Sequence, residues 1–259
     1  LSFIPQKPLS TEEIDSIYAL NFRKDFPEYC KSVPAWKMIN SSITTHRGCY
    51  GKCSFCAITI HQGPSISERS HQSIIDEAKL LSEKSFFNKT ISDVGGPTAN
   101  MYGTTCRIGW CKDPTCLYPT ICEHLVIDKD SYKNLLESVK GIKNVKNVFV
   151  SSGLRHDLAL TKKEESEFII VNNTSGHLKI APEHIDNEIL NLMRKPPNEE
   201  FIKFIDFFES VKKKHNLKFY ILPYLILSFP GSNDEKVKKL ALFLKKSFHP
   251  MQTCLNALL

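Results

Sequence analysis

The chain has 259 residues, 41% of them hydrophobic, enough to bury the core of one large domain or two small ones and too many for a disordered or low-complexity polymer. Its formal charge of +6 is mild and scattered over helix-like stretches such as VKKKH and FLKK, the usual mark of solvated helix faces and only weak support for contact with RNA. Nine cysteines, with neither an apolar leader nor a membrane-length run, exclude a secreted disulfide scaffold and a membrane span. They imply a reducing, cytoplasmic setting with metal-bound thiolates. Leu1 is not an initiator methionine, so the chain is expected to begin inside a longer protein.

Ser10-Thr11-Glu12-Glu13 reads as a capping box, with Ile14, Ile17 and Tyr18 at helical spacing behind it. Pro27 and Pro34 make residues 21–36 an irregular connector, so residues 1–40 precede a main domain expected over 41–259. SSITTH (41–46) predicts a first strand, and Ile74, Ile75, Ala78 and Leu81 the helix after it. Residues 90–94 predict the second strand, followed by a helix through Tyr132, Leu135, Leu136 and Val139. The third, fourth and fifth strands are expected at 147–151, 177–181 and 219–227. Phe201, Phe204, Ile205, Phe208 and Val211 predict a helix between the last two, and another follows Asn233. Such alternation demands an α/β fold, a parallel sheet that right-handed crossovers curl toward a partial barrel. Pro223 removes a ladder donor and suits an edge or a bulge. The tail SFHPMQTCLNALL is too short for another strand–helix unit, so the sixth strand is expected to be missing or altered.

In parallel barrels, functional groups gather at the carboxyl ends of the strands. After the first strand come Cys49, Cys53 and Cys56, spaced C-x3-C-x2-C. A cubane [4Fe–4S] cluster has four irons, so three thiolates leave one iron open to a small molecule, whereas electron-transfer ferredoxins close all four. A zinc knot competes, since C-x2-C is also a zinc half-site. Gly95 and Gly96 follow the second strand and let the backbone approach a ligand closely, although a tight turn needs them equally. Ser152 and Arg155 follow the third strand, Glu183 the fourth, and Ser228 to Gly231 the fifth. All converge on one mouth, which makes Ser152, Arg155 and Glu183 candidate ligand contacts. Phe55 suits an adenine ring or simple packing beneath the cysteine loop, and Lys179, alternating inward, needs a partner such as Glu183.

A second cysteine group, Cys106, Cys111, Cys116 and Cys122, runs C-x4-C-x4-C-x5-C through a loop at about 103–126 that also holds Gly109, Pro114 and Pro119. Loops of that length need something to order them, and four thiolates suit tetrahedral zinc or a second iron–sulfur cluster. Cys30 and Cys254 stand alone and read as small hydrophobes.

The stretches RGCYGKCSFCAIT, DVGGPTANMYG, CKDPTCLYPTICEHL, SSGLRHDLA and LKIAPEH, with Pro230-Gly231, together resemble the YgiQ-type radical S-adenosylmethionine (SAM) proteins over most of the chain. The resemblance implies a partial (β/α)6 TIM-like barrel with a cysteine-rich loop after its second strand. It implies a [4Fe–4S] cluster on Cys49, Cys53 and Cys56, with SAM chelating the free iron. Gly95 and Gly96 then meet the methionine amino group, although the family's Gly-Gly-Glu acid is Pro97 here. Phe55 meets the adenine, and Arg194 in LMRKP resembles an arginine after the fourth strand of methylthiotransferase-like relatives. The implied reaction is reductive cleavage of SAM to a 5′-deoxyadenosyl radical that takes hydrogen from an unknown substrate, RNA among the classes. A flavodoxin- or ferredoxin-like donor supplies the electron. The alternative is a zinc-stabilised RNA-binding module, against which stands the lack of an aromatic-rich basic stripe. Full-length relatives carry an N-terminal region and a sixth strand that do not match here, so the chain is expected to be a fragment.

Overall fold

Ser10 starts the first helix as its sequence predicts: its Oγ accepts from the Glu13 N–H at 3.2 Å, and Glu13 Oε2 accepts from the Ser10 N–H at 2.8 Å. A computed structural model describes residues 7–30, 33–109, 111 and 115–248. The expectations about a sixth strand and Cys254 lie outside those residues. Helix α1 (Thr11–Tyr18) buries Ile14 and sets the Tyr18 ring under the Arg69 guanidinium at 3.9 Å. After the connector, the short α2 (Trp36–Ile39) places Trp36 edge-on to both Phe26 and Phe86.

The five expected strands all form, and they pair in sequence order. Strand β1 (Ser42–Thr44) is followed by β2 (His46–Arg47), helix α3 (Ile58–Gln62), β3 (Ser67–Glu68) and helix α4 (His71–Ser82). The second expected strand divides into β4 (Thr90–Ile91) and β5 (Asp93–Gly95); β5 lies parallel to β1 with Ile43 opposite Val94. Next come β6 (Thr104–Cys106), β7 (Leu125–Ile127), helix α5 (Ser131–Lys140) and β8 (Asn147–Val148), which runs parallel to β4. The Val94 N–H reaches the Phe149 carbonyl and the Phe149 N–H reaches Ile91, which knits the second and third strands together. Beyond them, helices α6 (His156–Thr161) and α7 (Lys163–Asn172) lead to β9 (His177–Glu183). The Leu154–Ile180 bridge joins the third strand to β9. Helices α8 (Asn187–Met193) and α9 (Asn198–His215) precede β10 (Tyr220–Leu225), which is parallel to β9, and α10 (Asp234–Ser247) follows. Among the described residues no pairing links β1 to β10, so these strands form no closed barrel. The register slips between Pro223 and Leu225, the bulge that the proline predicts.

The core lies between the sheet and its helices. Ile43, Val94, Val148 and Ile180 from the strands meet Ile74 of α4 and Phe204 of α9, all essentially inaccessible to water. A smaller apolar cluster of Tyr50, Met101, Leu117, Leu125 and Leu158 sits beyond the carboxyl ends of the strands, under both cysteine segments. The antiparallel β6–β7 ribbon brackets the second cysteine group between Cys106 and Leu125, which face each other across it.

Candidate functional site

The first cysteine loop turns on two glycines. Gly48 has φ of +87°, and a Cβ there would sit 1.8 Å from the Ser65 carbonyl oxygen, so the chain can pass this point only without a side chain. The Cys49 N–H then bonds the Gly63 carbonyl at 3.2 Å, and the Cys56 N–H bonds the Cys53 carbonyl at 3.0 Å. A Cβ on the buried Gly51 would lie 3.3 Å from Cys49 Sγ, 3.5 Å from Cys53 Sγ and 3.2 Å from Arg155 Nη1. Two thiols and one guanidinium therefore border the space that Gly51 leaves open. The Gly51 N–H also donates to Cys49 Sγ at 3.3 Å. Burial raises the Cys49 thiol, and Cys53 and Cys56 stand close enough to raise it further.

Cations crowd this loop. Arg155 is buried, with Nε donating to Asp157 Oδ1 and Oδ2 at 2.8 and 3.0 Å and Nη2 donating to the Leu117 carbonyl at 3.2 Å. Burial opposes its charge, but Asp157 and Cys53 carry its basicity above the ordinary value. Asn100 grips its backbone from both sides, Nδ2 to the Arg155 carbonyl and Oδ1 from the Arg155 N–H, each at 2.9 Å. The second cation was not expected. Helix α8 ends at Arg194 in the left-handed region (φ +57°), and this reversal leaves Arg194 exposed while turning Lys195 inward. Lys195 is buried and donates from Nζ to the Ala181 carbonyl at 2.5 Å. Burial lowers its basicity, as does Arg155; Cys53, Glu183 and Asp157 pull it back up.

Glu183 completes the group. It ends β9 with φ of +69°, a conformation that strains any residue with a Cβ, and its carboxyl is buried and raised by that burial against the pull of Lys195. Lys179, the partner expected for Glu183, is half-buried and acts on Asp93 instead.

Gly95 and Gly96 are accounted for by neighbours inside the chain. A Cβ on Gly95 would meet Ser152 Oγ at 1.8 Å, and one on Gly96 would meet the buried His46 ring at 2.6 Å. Asp93 draws Ser152 in, accepting from the backbone N–H groups of Ser151 and Ser152 at 2.7 and 3.1 Å and from Ser152 Oγ at 3.0 Å. Burial drives the His46 imidazole down to about 4, which keeps it neutral. Phe55 does not pack beneath the cysteine loop: it is partly exposed and stands edge-on to Phe229, 6.3 Å between centroids. Ser54 beside it is tied to the end of α8, its N–H to the Met193 carbonyl at 3.1 Å and its Oγ to Leu192 at 2.7 Å.

The structure thus brings Cys49, Cys53, Arg155 and Glu183 to one place and adds Lys195; Phe55 and Phe229 border it, while Gly95, Gly96 and Ser152 pack together on the neighbouring strand. Arg194 lies outside, on the exposed side of its turn. Sequence reasoning missed Lys195, Asp93 and Asn100. The signal for Lys195 was Pro196-Pro197, which ends the helix and reverses the inward face. Asp93 and Asn100 flank the two glycines in DVGGPTAN, a position that invites side-chain bonds to the next loop. Cys106, Cys111, Cys116 and Cys122 share one loop, but among the described residues no three His, Cys, Asp or Glu side chains converge closely enough for a single metal ion. No helix among the described residues is long and apolar enough to cross a membrane.

Comparison with known proteins adds a family to this geometry. The radical SAM superfamily matches residues 43–244, and its domain is a partial TIM-like α/β fold, in keeping with the ordered parallel strands. A "UPF0313 protein" of Thermotoga neapolitana is 44% identical over 259 residues, covering 96% of this chain and 46% of its own length. The "UPF0313 protein" of Thermotoga maritima shows the same identity and coverage. Another, from Clostridium botulinum, is 42% identical over 251 residues, covering 93% of this chain and 39% of its own. The chain spans less than half the length of these curated relatives. Their names state no reaction, and nothing in the comparisons supports an RNA-binding module.

Proposed function

The chain belongs to the radical SAM superfamily, and on that basis we propose that it reductively cleaves SAM and uses the resulting radical to take hydrogen from a substrate. In this reading Cys49, Cys53 and Cys56 hold a [4Fe–4S] cluster. The observation that carries it is the convergence of Cys49 Sγ, Cys53 Sγ and the Arg155 guanidinium on the open face of Gly51. Two thiols bordering a space kept clear by a glycine, a third from Cys56 acting on Cys49, and the buried Arg155 and Lys195 beside them support an anionic iron–sulfur group.

A cluster and SAM bound there supply one-electron reduction of the sulfonium and the 5′-deoxyadenosyl radical. The chain's own residues bind, orient and exclude water. Arg155 and Lys195 offset the thiolate charge, and Lys195, with one hydrogen bond to Ala181, keeps donors for the SAM carboxylate. Glu183, held in strained backbone close to Lys195, accepts from the ligand's amino or hydroxyl groups. Phe55 and Phe229 form an exposed aromatic edge for the adenine. Gly95, Gly96 and Ser152 shape the strand end next to the methionine group, and Arg194 serves at the rim. An external flavodoxin- or ferredoxin-like donor gives the electron in the cytoplasm. The second cysteine group holds a further metal, zinc or iron–sulfur, in a loop inserted after the second strand of an incomplete (β/α)6 barrel spanning residues 41–259.

The test is anaerobic reconstitution with iron and sulfide, reduction with dithionite, and assay for 5′-deoxyadenosine. Wild type is expected to cleave SAM and Cys53→Ala to fall to background. Equal cleavage by the two proteins would sink the assignment.

A further inference from the structure

Between the connector that follows α1 and the side of the sheet formed by β1 and α4 lies a cavity of about 550 Å³, which shares no lining residue with the cysteine site. Three aromatic rings border it. Tyr18 ends α1, and one face of its ring is taken by the Arg69 guanidinium. Phe22 is half exposed, and Trp36 is fixed by edge contacts with Phe26 and Phe86, at 5.3 and 5.1 Å between centroids. Rings held around one space in this way suit a flat aromatic guest, which gains contact area without having to order its walls.

Cations surround the same space. Arg47 is exposed, and its Nη2 donates to the Tyr18 hydroxyl at 3.0 Å. Lys24 stands in the left-handed region at φ +57°, a backbone conformation that strains any residue with a Cβ. From there its ammonium reaches both Glu77 and the Phe22 ring, 5.8 Å from the centroid. Glu77 is the buried carboxylate of the lining, and both of its oxygens are taken, Oε1 by Lys24 and Oε2 by Arg69. Arg23 pairs with Glu28 at 3.1 Å, but Glu28 is 90% exposed, so water screens that pair. Asp25, the other acid of the lining, accepts from the Phe26 N–H at 2.8 Å. Arg23, Lys24, Arg47 and Arg69 thus stand against Asp25, Glu28 and Glu77, and the balance is positive.

We propose that this cavity binds a small ligand joining a planar heteroaromatic ring to an anionic group, the chemistry of a nucleoside monophosphate. The ring lies among Tyr18, Phe22 and Trp36, and the amide of Asn40 and the hydroxyl of Thr44 meet its polar edge. Arg47, Arg23 and Lys24 hold the anion. Arg47 is the principal contact: its bond to Tyr18 engages a neutral phenol and leaves most of its N–H donors for the ligand. The volume falls within the range of about 300–1,000 Å³ usual for small-molecule pockets. Nothing in this site calls on a cluster or on SAM, so the inference stands apart from the proposed function.

The test is equilibrium dialysis of the full chain, purified anaerobically, against each of the four ribonucleoside 5′-monophosphates, with the matching nucleosides and inorganic phosphate as separate arms. At least one monophosphate is expected to bind one to one, about tenfold or more tighter than its nucleoside and than phosphate. Arg47→Ala is expected to weaken that binding by about tenfold, the loss of a charge-assisted contact, with circular dichroism unchanged because Arg47 is exposed. Lys195→Met, in the cysteine site, is expected to bind the monophosphate as wild type does. Trp36 fluorescence, read in Trp110→Phe protein, is expected to change as the ligand enters. Binding undiminished by Arg47→Ala, phosphate bound as tightly as any monophosphate, or binding lost in Lys195→Met would each overturn the proposal. Failure of all four monophosphates to bind a protein of native circular dichroism overturns it as well, and leaves the cavity to a further stretch of polypeptide.

Discussion

Histidines buried without charge set the acid limit of this protein at the level of single residues. His156 is inaccessible, lies against Phe201 at 5.6 Å, and neither ring nitrogen has a hydrogen-bond partner among the described residues. Burial takes it down to about 3 and His46 down to about 4. A group whose folded pKa is depressed adds stability above its unfolded value, near 6.5, and loses it as pH falls through that value toward the folded one. Glu165 works in the opposite sense. Burial lifts it to about 7 despite Lys162, so its contribution is complete below about 4.5 and is lost as pH rises through 7. Two histidines outweigh one glutamate between pH 7 and 5, and stability is expected to fall on acidification. His156→Leu is expected to flatten that fall by about 2 kcal/mol, measured by urea unfolding at pH 7 and 5; an unchanged slope would show that His156 does not titrate with unfolding. Lys195 and Arg194 give a second contrast. Lys195→Met is expected to weaken SAM binding to the reconstituted protein by about tenfold or more, the loss of one charge-assisted hydrogen bond, while Arg194→Met leaves it near wild type. The reverse order in equilibrium titration would return the role to Arg194. The left-handed turn at Arg194 assigns one of these adjacent cations to water and the other to the interior.

Among the elements, α8 is small but holds much of the site in place. Its last carbonyls bind Ser54, and its terminal turn delivers Lys195. The helix starts at Asp186, whose carboxylate accepts from the Ile189 N–H at 3.2 Å and pairs with Lys236 of α10 at 3.2 Å. Asp186→Ala is expected to cost about 1 kcal/mol in denaturant unfolding and to weaken SAM binding at the same time; loss of stability with unchanged binding would separate the helix from the site. The strands and the helices with clean apolar stripes, α4, α5, α9 and α10, were legible because burial repeats along them every two or 3.6 residues. Helices α6 and α7 were not. The buried face of α7 includes Glu165 and Ser166 beside Ile169 and Ile170, and α6 opens on the buried His156 and Asp157, so polar residues break the stripe. No helix was expected over those residues, because polar side chains on the buried face break the apolar spacing that marks one.

The molecule as a whole behaves as a scaffold whose strand ends support two cysteine loops. Because both loops pack on one apolar cluster, filling them is expected to act on folding as well as on chemistry. A cofactor that binds only the folded state stabilises it by mass action. Anaerobic reconstitution is therefore expected to raise the thermal midpoint by several degrees over the apoprotein, with chelation of iron reversing the gain. Full iron loading with an unmoved midpoint would mean that the loops bind their metal without being part of the cooperative unit.

Local pattern was sufficient for the strand–helix alternation, the capping box, the bulge at Pro223 and the spacing of Cys49, Cys53 and Cys56, because each depends on residues a few positions apart. Tertiary structure alone decided that Gly95 and Gly96 make room for Ser152 and His46, and that Lys195 lies beside Glu183 and Cys53. Those outcomes depend on how crossovers carry distant strand ends to one another and on which way a chain leaves a helix, and neither is encoded in the spacing of neighbours.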